Sequence, residues 1–392
     1  MASDTMRIVH VVESLDVGGL EHVVLALAKL QRQHGHQVLV ACLWRPGALA
    51  ATAAAAGVEV QCAGKRAGFD LAALWRLRAL LRRARPEVLH THNPMAHYYA
   101  AAAALGLGVG TLLNTRHGMG SAQLNARTEW LYRTALRGSA FAVSVCSAAQ
   151  RRFVAHGVMP GTKAVVVHNG IELARFTRSD RGASARIRAG LALPPGTVLF
   201  GSVGRLNEAK QQQLLLLALR ALLDAAVPAA LVIVGDGDQR AALEGECRRL
   251  NLGSAVHLLG ARGDVPELLA AMDAFVLCSR TEGYSLALIE ASAAGLPIIA
   301  TDVGGNAEIV QHQRSGLLVP TADVGALTAA MAALAADASL RQRFAREAAQ
   351  WAEREGSLDT MYERYLALYR QGAGLRQPHA DDPPDVSMRP QA

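Results

Sequence analysis

Ala274-Phe-Val-Leu-Cys-Ser-Arg-Thr-Glu-Gly-Tyr-Ser-Leu-Ala-Leu-Ile-Glu290 passes from an unbroken apolar run, through a polar turn, into a second apolar run. Ala274 to Leu277 read as a strand buried on both faces, the pattern of a parallel sheet. The segment from the turn onward reads as a helix that ends near Gly295-Leu296-Pro297, where Gly caps and Pro forbids continuation. Such a turn leaves free backbone N–H groups and the positive end of the helix dipole facing outward, which suits an anion such as phosphate. Glu282 in the turn and Glu290 two helical turns later bracket the site. A carboxylate is unsuited to phosphate but well suited to accepting hydrogen bonds from sugar hydroxyls. Phosphate and sugar together imply a sugar nucleotide.

Working outward, strand and helix patterns alternate along the chain. Strands are expected at 8–12, 35–41, 58–61, 88–92, 112–117, 142–146 and 164–167. After a polar, Pro-containing stretch at 176–197, read as a linker, they are expected at 198–203, 230–234, 256–259, 274–277, 298–301 and 316–319. The fold class is therefore α/β, with two doubly wound, Rossmann-like halves at residues 1–175 and 176–356. Their one natural ligand site is the cleft between the carboxyl ends of the two sheets. A terminal helix at about 357–371 is expected to pack back on the first half. Residues 372–392, rich in Gly, Pro, Asp and Gln, are expected to be disordered.

Composition excludes several classes. At 392 residues, 51% hydrophobic and 19% charged, the chain suits two packed domains. No apolar run reaches the ~18–20 residues of a membrane span. The N-terminus has no signal-peptide pattern, and the five dispersed cysteines are neither paired nor spaced for zinc, so a cytoplasmic protein with reduced thiols is expected. Residues 1–175 hold 19 Lys/Arg against 9 Asp/Glu and the remainder 21 against 24. The asymmetry points either to an anionic partner for the first half, such as membrane headgroups, a phospholipid substrate or nucleic acid, or to an Arg- and Ala-rich genome composition; of these partners nucleic acid is not the expected one. The helix at 69–85, with Leu71, Leu74, Trp75, Leu77, Leu80 and Leu81 among five arginines, reads either as a cover for the sheet or as a basic amphipathic helix on an anionic bilayer.

With these pieces placed, the sequence resembles the retaining glycosyltransferases of family 4, which have the GT-B fold, and in particular the bacterial cell-envelope and exopolysaccharide group. The resemblance runs from the Gly18-Gly19 loop to about Arg346. It is most specific in Glu282-Gly-Tyr-Ser-Leu-x-x-x-Glu290, extended by Gly295-x-Pro297 and Asp302-Val-Gly-Gly-Asn-x-Glu308. The resemblance implies that Glu282 contacts the transferred sugar, that Glu290 holds the ribose diol, and that the N–H groups of Ser285 and Leu286 meet the diphosphate. Gly204-Arg205-Leu-Asn-Glu-Ala-Lys210 resembles the family's Arg…Lys pair, cations placed where charge grows on the leaving diphosphate. Arg116-His117-Gly118 resembles the family's donor-side histidine, and His92 and His97 compete with it for contacts to sugar or acceptor. Gly18 and Gly19 let the backbone approach the donor closely. Gly235-Asp236-Gly237 and Arg262 resemble the segments framing the nucleotide, and Asn169-Gly170 a turn beside the hinge.

The implied reaction moves a hexosyl group, with retention, from a nucleoside-diphosphate sugar, UDP being the expected nucleotide, to a lipid-linked or polysaccharide acceptor. No metal and no cofactor are expected, Arg205, Lys210 and the helix start taking the cation's place. A sugar-nucleotide epimerase and a non-catalytic sugar-nucleotide-binding protein share the architecture. A glycosidase acid/base pair at Glu282 and Glu290 would leave Arg205 and Lys210 unexplained.

Overall fold

The computed structural model describes residues 5–120, 126–177 and 181–374. The first sheet is built from β1 (Arg7–Ser14), β2 (Gln37–Arg45), β3 (Glu59–Cys62), β4 (Val88–His92), β5 (Thr111–Arg116), β6 (Phe141–Ser144) and β7 (Ala164–Val166). The second contains β8 (Val198–Val203), β9 (Ala229–Val234), β10 (Val256–Gly260), β11 (Ala274–Leu277), β12 (Ile298–Thr301) and β13 (Gly316–Val319). The helices are α1 (Gly19–Gln33), α2 (Ala50–Ala55), α3 (Leu71–Ala84), α4 (Asn93–Ala103), α5 (Ala126–Leu136), α6 (Ser147–Ala155), α7 (Ala174–Thr177), α8 (Arg181–Gly190), α9 (Gln213–Asp224), α10 (Arg240–Arg249), α11 (Val265–Ala271), α12 (Leu286–Ala293), α13 (Asn306–Ile309), α14 (Val324–Ala336), α15 (Ala338–Glu355) and α16 (Leu358–Gly374).

All the strand pairings are parallel. The strand orders are β3-β2-β1-β4-β5-β6-β7 and β10-β9-β8-β11-β12-β13. Each sheet therefore reverses its winding once, between β1 and β4 and between β8 and β11. Ligands of open α/β sheets sit at such reversals, beyond the carboxyl ends of the strands. Interior strands of the second sheet are buried on both faces because they are almost wholly apolar, Ala229–Val234 being enclosed throughout, whereas β1, β4 and β5 of the first sheet also bury polar residues such as His10, His90 and Thr115.

The stretch at 176–197 departs from the linker reading. Residues 181–190 are helical, and α8 packs on α11 through Ser184 Oγ donating to Ala270 O (3.0 Å) and Arg188 to Ala271 O (2.8 Å) and Asp273. Within the helix Ile187 packs against the core, and Leu191 and Leu193 follow it, too sparse a pattern for periodicity to reveal. α16 runs to Gly374 and docks on the first sheet, burying Leu358, Met361, Tyr362, Tyr365, Leu366 and Tyr369 in the same cluster as Val24, Leu113 and Val143. At roughly 1.5–3 kcal/mol per large side chain, this is a major contact. The disorder expected after 371 concerns, from residue 375 on, positions outside the described residues.

α3 is both kinds of helix at once. Ala73, Leu77, Leu80 and Leu81 cover the sheet, while Leu71, Trp75, Arg82 and Arg83 are exposed. Arg76 and Arg78 are not free for a lipid: they donate to the carbonyls of Ala63 and Gly64, and of Ala103 and Leu105. No single described helix is long and apolar enough to cross a membrane.

Candidate functional site

Four loops at the carboxyl ends of the strands meet across the cleft. Gly18-Gly19 leaves β1 and starts α1, and a Cβ on Gly19 would lie 3.6 Å from Leu286 Cδ1, at the start of α12 in the opposite half. Arg205 leaves β8 and donates through Nη2 to Val17 O at 3.4 Å, again between halves. The His117-Gly118 turn after β5 touches the Glu282-Gly283 turn after β11, where a Cβ on Gly283 would fall 2.5 Å from Gly118 Cα. Asn93, after β4, holds the His117-Gly118 turn through Oδ1 accepting from His117 N at 3.0 Å. Both winding reversals thus contribute to one crevice.

α12 opens as an uncapped helix. Ser285, its N-cap residue, has extended backbone, and its side chain makes no capping hydrogen bond. The N–H groups of the first turn are left to an incoming acceptor. Beside them Lys210 Nζ lies 2.5 Å from Glu282 Oε1, which also accepts from Ser279 Oγ at 2.5 Å. The family resemblance implies separate roles for this lysine and this glutamate, on phosphate and on sugar. The structure pairs them with each other, 72 residues apart, as no spacing rule would have shown. Asn207 positions the lysine, its Oδ1 accepting from Lys210 N at 3.1 Å.

Glu290 lies half-buried on α12, and burial pushes its carboxyl up to about 7, with Arg175 the opposing charge. The folded protein therefore holds this proton more tightly than the unfolded chain does. Stability is lost as pH rises from the ordinary carboxylate value of 4.5 to about 7, where the loss is complete. Glu290→Gln is expected to stabilise the ligand-free protein by about 1–3 kcal/mol at pH 8 and by almost nothing at pH 4. Denaturant melts at the two pH values check it; equal effects at both would show that the carboxyl is not held protonated.

The histidines separate into two classes. His97 is fully buried between Thr91 Oγ1 (2.9 Å) and Ser139 Oγ (3.2 Å), against the Tyr132 ring, and burial lowers it to about 3. It is a core residue and contacts no acceptor; its reading as a sugar or acceptor candidate is corrected. His92 is 2% exposed and bonded to His10 on one side and His117 on the other, so it too lies behind the cleft wall. His117 alone of the three stands at the surface of the cleft, held near pKa 4 by burial. One nitrogen from each of His10, His90 and His92 lies close enough together to suit a metal ion, but all six ring nitrogens already have hydrogen-bond partners.

The remaining candidates are more structural than the sequence implied. Gly235 and Gly237 carry no side chain because the neighbouring loop passes against them: Cβ atoms there would fall 1.9 Å from Gly204 O and 2.1 Å from Leu206 O. Asp236 caps Gly237 N at 2.8 Å, and Arg262 is engaged by Asp264 at 2.6 Å. A clasp between the halves went unread: Glu308 accepts from Ser147 N (2.9 Å), Ser147 Oγ (3.0 Å) and His168 Nε2 (2.9 Å), and His168 stacks on Tyr284 at 4.7 Å. Burial alone would raise the Glu308 carboxyl; the Ser147 and His168 bonds outweigh it and hold it below the usual value. Ser147 starting a helix was the available signal.

Residues 17–175 match the family model of glycosyltransferase family 4, and residues 184–351 that of the group 1 glycosyl transferases. A GDP-mannose-dependent alpha-mannosyltransferase of Mycobacterium tuberculosis is 31% identical over 340 residues, 81% of this chain and 85% of that one. A UDP-Gal:alpha-D-GlcNAc-diphosphoundecaprenol alpha-1,3-galactosyltransferase of Escherichia coli is 27% identical over 65% of this chain and 68% of its own length. Among solved structures, Anabaena HepE in complex with UDP superposes with a TM-score of 0.84 at 20% identity, over 93% of this chain and 100% of that one.

Proposed function

Since the chain belongs to the family 4, group 1 glycosyltransferases, with their GT-B fold and nucleotide-sugar donors, we propose that it moves a hexosyl group from a UDP-sugar, with retention, to a lipid-linked or polysaccharide acceptor in cell-envelope glycan synthesis. The observation that carries this reading is the joint placement of the uncapped α12 start, Arg205, and the Lys210–Glu282 pair at one crevice. In this reading the N–H groups of Ser285 and Leu286, with Arg205 and Lys210, hold the diphosphate and stabilise the charge that grows on it. Glu282 faces the sugar, Glu290 the ribose diol, and His117 a sugar hydroxyl. Glu282 is held by Lys210 and Ser279, which makes it a poor nucleophile and favours same-face transfer. The bond from the anomeric carbon to the leaving phosphate oxygen breaks, the acceptor oxygen bonds to that carbon on the same face, and the leaving phosphate takes the acceptor's proton.

In this reading Arg205 and Lys210 take the part of a divalent ion at the diphosphate, so activity is expected to persist in excess EDTA. Loss restored by Mg²⁺ or Mn²⁺ would overturn metal independence. The test of the function is a screen of nucleotide sugars for diphosphate release against membrane extract, with a labelled donor. A new sugar nucleotide made without acceptor would indicate an epimerase, and donor binding with no release under any acceptor a binding protein.

A lipid acceptor at the inner face of the cell membrane is supported by the outer face of the first domain. There α3, α4 and α5 leave a groove of about 740 Å³ lined by Phe69, Tyr98, Tyr99, Leu105 and Trp130, with Arg127 at its side. Phe69, Leu105 and Trp130 are more than half exposed, and Arg82 and Arg83 face solvent on α3. Exposed aromatic groups and solvent-facing arginines on one domain fit an anionic bilayer. The Escherichia coli relative's name includes a diphosphoundecaprenol, an acceptor of that kind. Co-sedimentation with anionic vesicles is expected to weaken with salt and in Arg82→Ala/Arg83→Ala; equal binding to neutral vesicles would sink the idea.

A further inference from the structure

A chain of hydrogen bonds runs from the cleft to the terminal helix through the buried centre of the first domain. His117 Nε2 meets His92 Nδ1 (3.1 Å), and His92 Nε2 meets His10 Nδ1 (3.0 Å). His10 Nε2 meets Gln31 Oε1 (2.8 Å), and Gln31 Nε2 donates to Tyr369 Oη (3.2 Å). Beyond it Tyr369 Oη meets His90 Nδ1 (2.8 Å), His90 Nε2 meets Thr115 Oγ1 (2.8 Å), and Thr115 Oγ1 meets Tyr365 Oη (2.9 Å). His10, Gln31, His90 and Thr115 are fully enclosed, and His92, Tyr365 and Tyr369 nearly so.

A neutral imidazole donates from one nitrogen and accepts at the other. Burial keeps His10, His92 and His117 neutral, each pKa lying below the usual 6.5. The proton order follows from the orientation of the Gln31 amide: with Oε1 toward His10 and Nε2 toward Tyr369 Oη, His10 carries its proton on Nε2. His10 Nδ1 is then an acceptor, which places the proton of His92 on Nε2. His92 Nδ1 is in turn an acceptor, which places the proton of His117 on Nε2. Each choice forces the next, and none is available to the histidines independently. An amide does not readily pass a proton along, so the chain fixes a direction and does not conduct.

We propose that Gln31, His10 and His92 are positioning residues that lock His117 in its Nε2–H tautomer and leave Nδ1 as a hydrogen-bond acceptor for a hydroxyl of the bound sugar. The site-facing half of this statement rests on the donor reading above; the tautomer does not. Nδ1 lies on the side of the ring away from His92, on the turn that touches Gly283. Gln31 is held by Tyr369 of α16, so the last helix sets a property of the cleft. His117 accordingly acts by accepting a hydrogen bond, not as a proton donor.

The test is ¹⁵N NMR of the full-length, ligand-free protein labelled at histidine, with His117 assigned by its loss in His117→Gln. A protonated Nε2 and bare Nδ1 are expected; a protonated Nδ1 overturns the proposal with no reference to activity. Gln31→Met, close in volume, is expected to give His117 as a mixture of tautomers. It should lower kcat about 2-fold, in proportion to the share of His117 that keeps the competent tautomer, with a smaller change in donor KM. Tyr369→Phe removes the amide's own anchor and serves as the second variant, with the same spectral outcome expected. An unchanged single tautomer in either folded variant overturns the proposal.

Discussion

Lys210→Ala is expected to lower kcat by about 10²–10³-fold, equivalent to about 2.7–4 kcal/mol of transition-state stabilisation. The magnitude follows from position. Lys210 is anchored by its backbone, its N–H held by Asn207 and its carbonyl accepting from Cys278 Sγ at 3.3 Å, so the ammonium is aimed and not merely nearby. Its side chain is 22% exposed and that of Glu282 10%, so the charge acts with little screening. Removing the lysine also strands Glu282, which keeps only Ser279. Donor KM should change less, because α12 and Arg205 still meet the ground-state diphosphate. Arginine is a poor rescue, since a planar fork does not fit a place made for a point charge. Diphosphate release under saturating donor measures the effect, and a kcat within threefold of the parent would remove Lys210 from the machinery.

Gly283→Ala should be nearly as damaging for a different reason. The added methyl would lie 2.5 Å from Gly118 Cα and 2.8 Å from Gly118 N, backbone atoms with no rotamer to yield. Each half can fold around the methyl, but the two cannot approach as closely. A misplacement of about 1 Å between reacting groups costs on the order of 10²-fold. A loss of that order in kcat/KM is expected, with the melting temperature nearly unchanged. Gly263→Ala, with no atom within 4 Å of the new Cβ, is the control and should behave as the parent. Parent-like kcat/KM in Gly283→Ala would mean that the two turns do not need their present contact during turnover.

The sequence was most legible where composition and backbone need coincide. Ala274–Leu277, Ile298–Thr301 and Gly316–Val319 were legible to the residue because buried parallel strands are largely apolar runs between turn signals. The Gly283 turn and Gly295 were legible for the same reason: only certain residues serve there. α8 was missed because its few apolar contacts hide among arginines and alanines. His97 was misread because a histidine that satisfies a core and one that faces a substrate are the same letter. The Lys210–Glu282 pair and the Glu308 clasp join residues 72 and 161 positions apart, and no periodicity carries that distance. The imidazole chain was hidden likewise, its anchor Tyr369 lying 338 residues from Gln31.

The docking of α16 on the first sheet has a consequence for how the polypeptide assembles. The chain crosses between the halves twice, and the two crossings lie side by side: Ile171 N donates to Gly356 O (2.9 Å), and Leu358 N to Ile171 O (2.8 Å). Gly170 has no room for a side chain there, because Ser357 O would be 2.1 Å from its Cβ. The amino-terminal half emerging from a ribosome is therefore an open vessel. It lacks the wall that Leu358, Met361, Tyr365 and Tyr369 supply until nearly the whole chain has been made. Fragment 1–175 expressed alone should aggregate or remain loosely packed, and supplying residues 357–374 as a separate peptide should restore a cooperative melt. Completion of the first domain thus doubles as a check that the second has been synthesised.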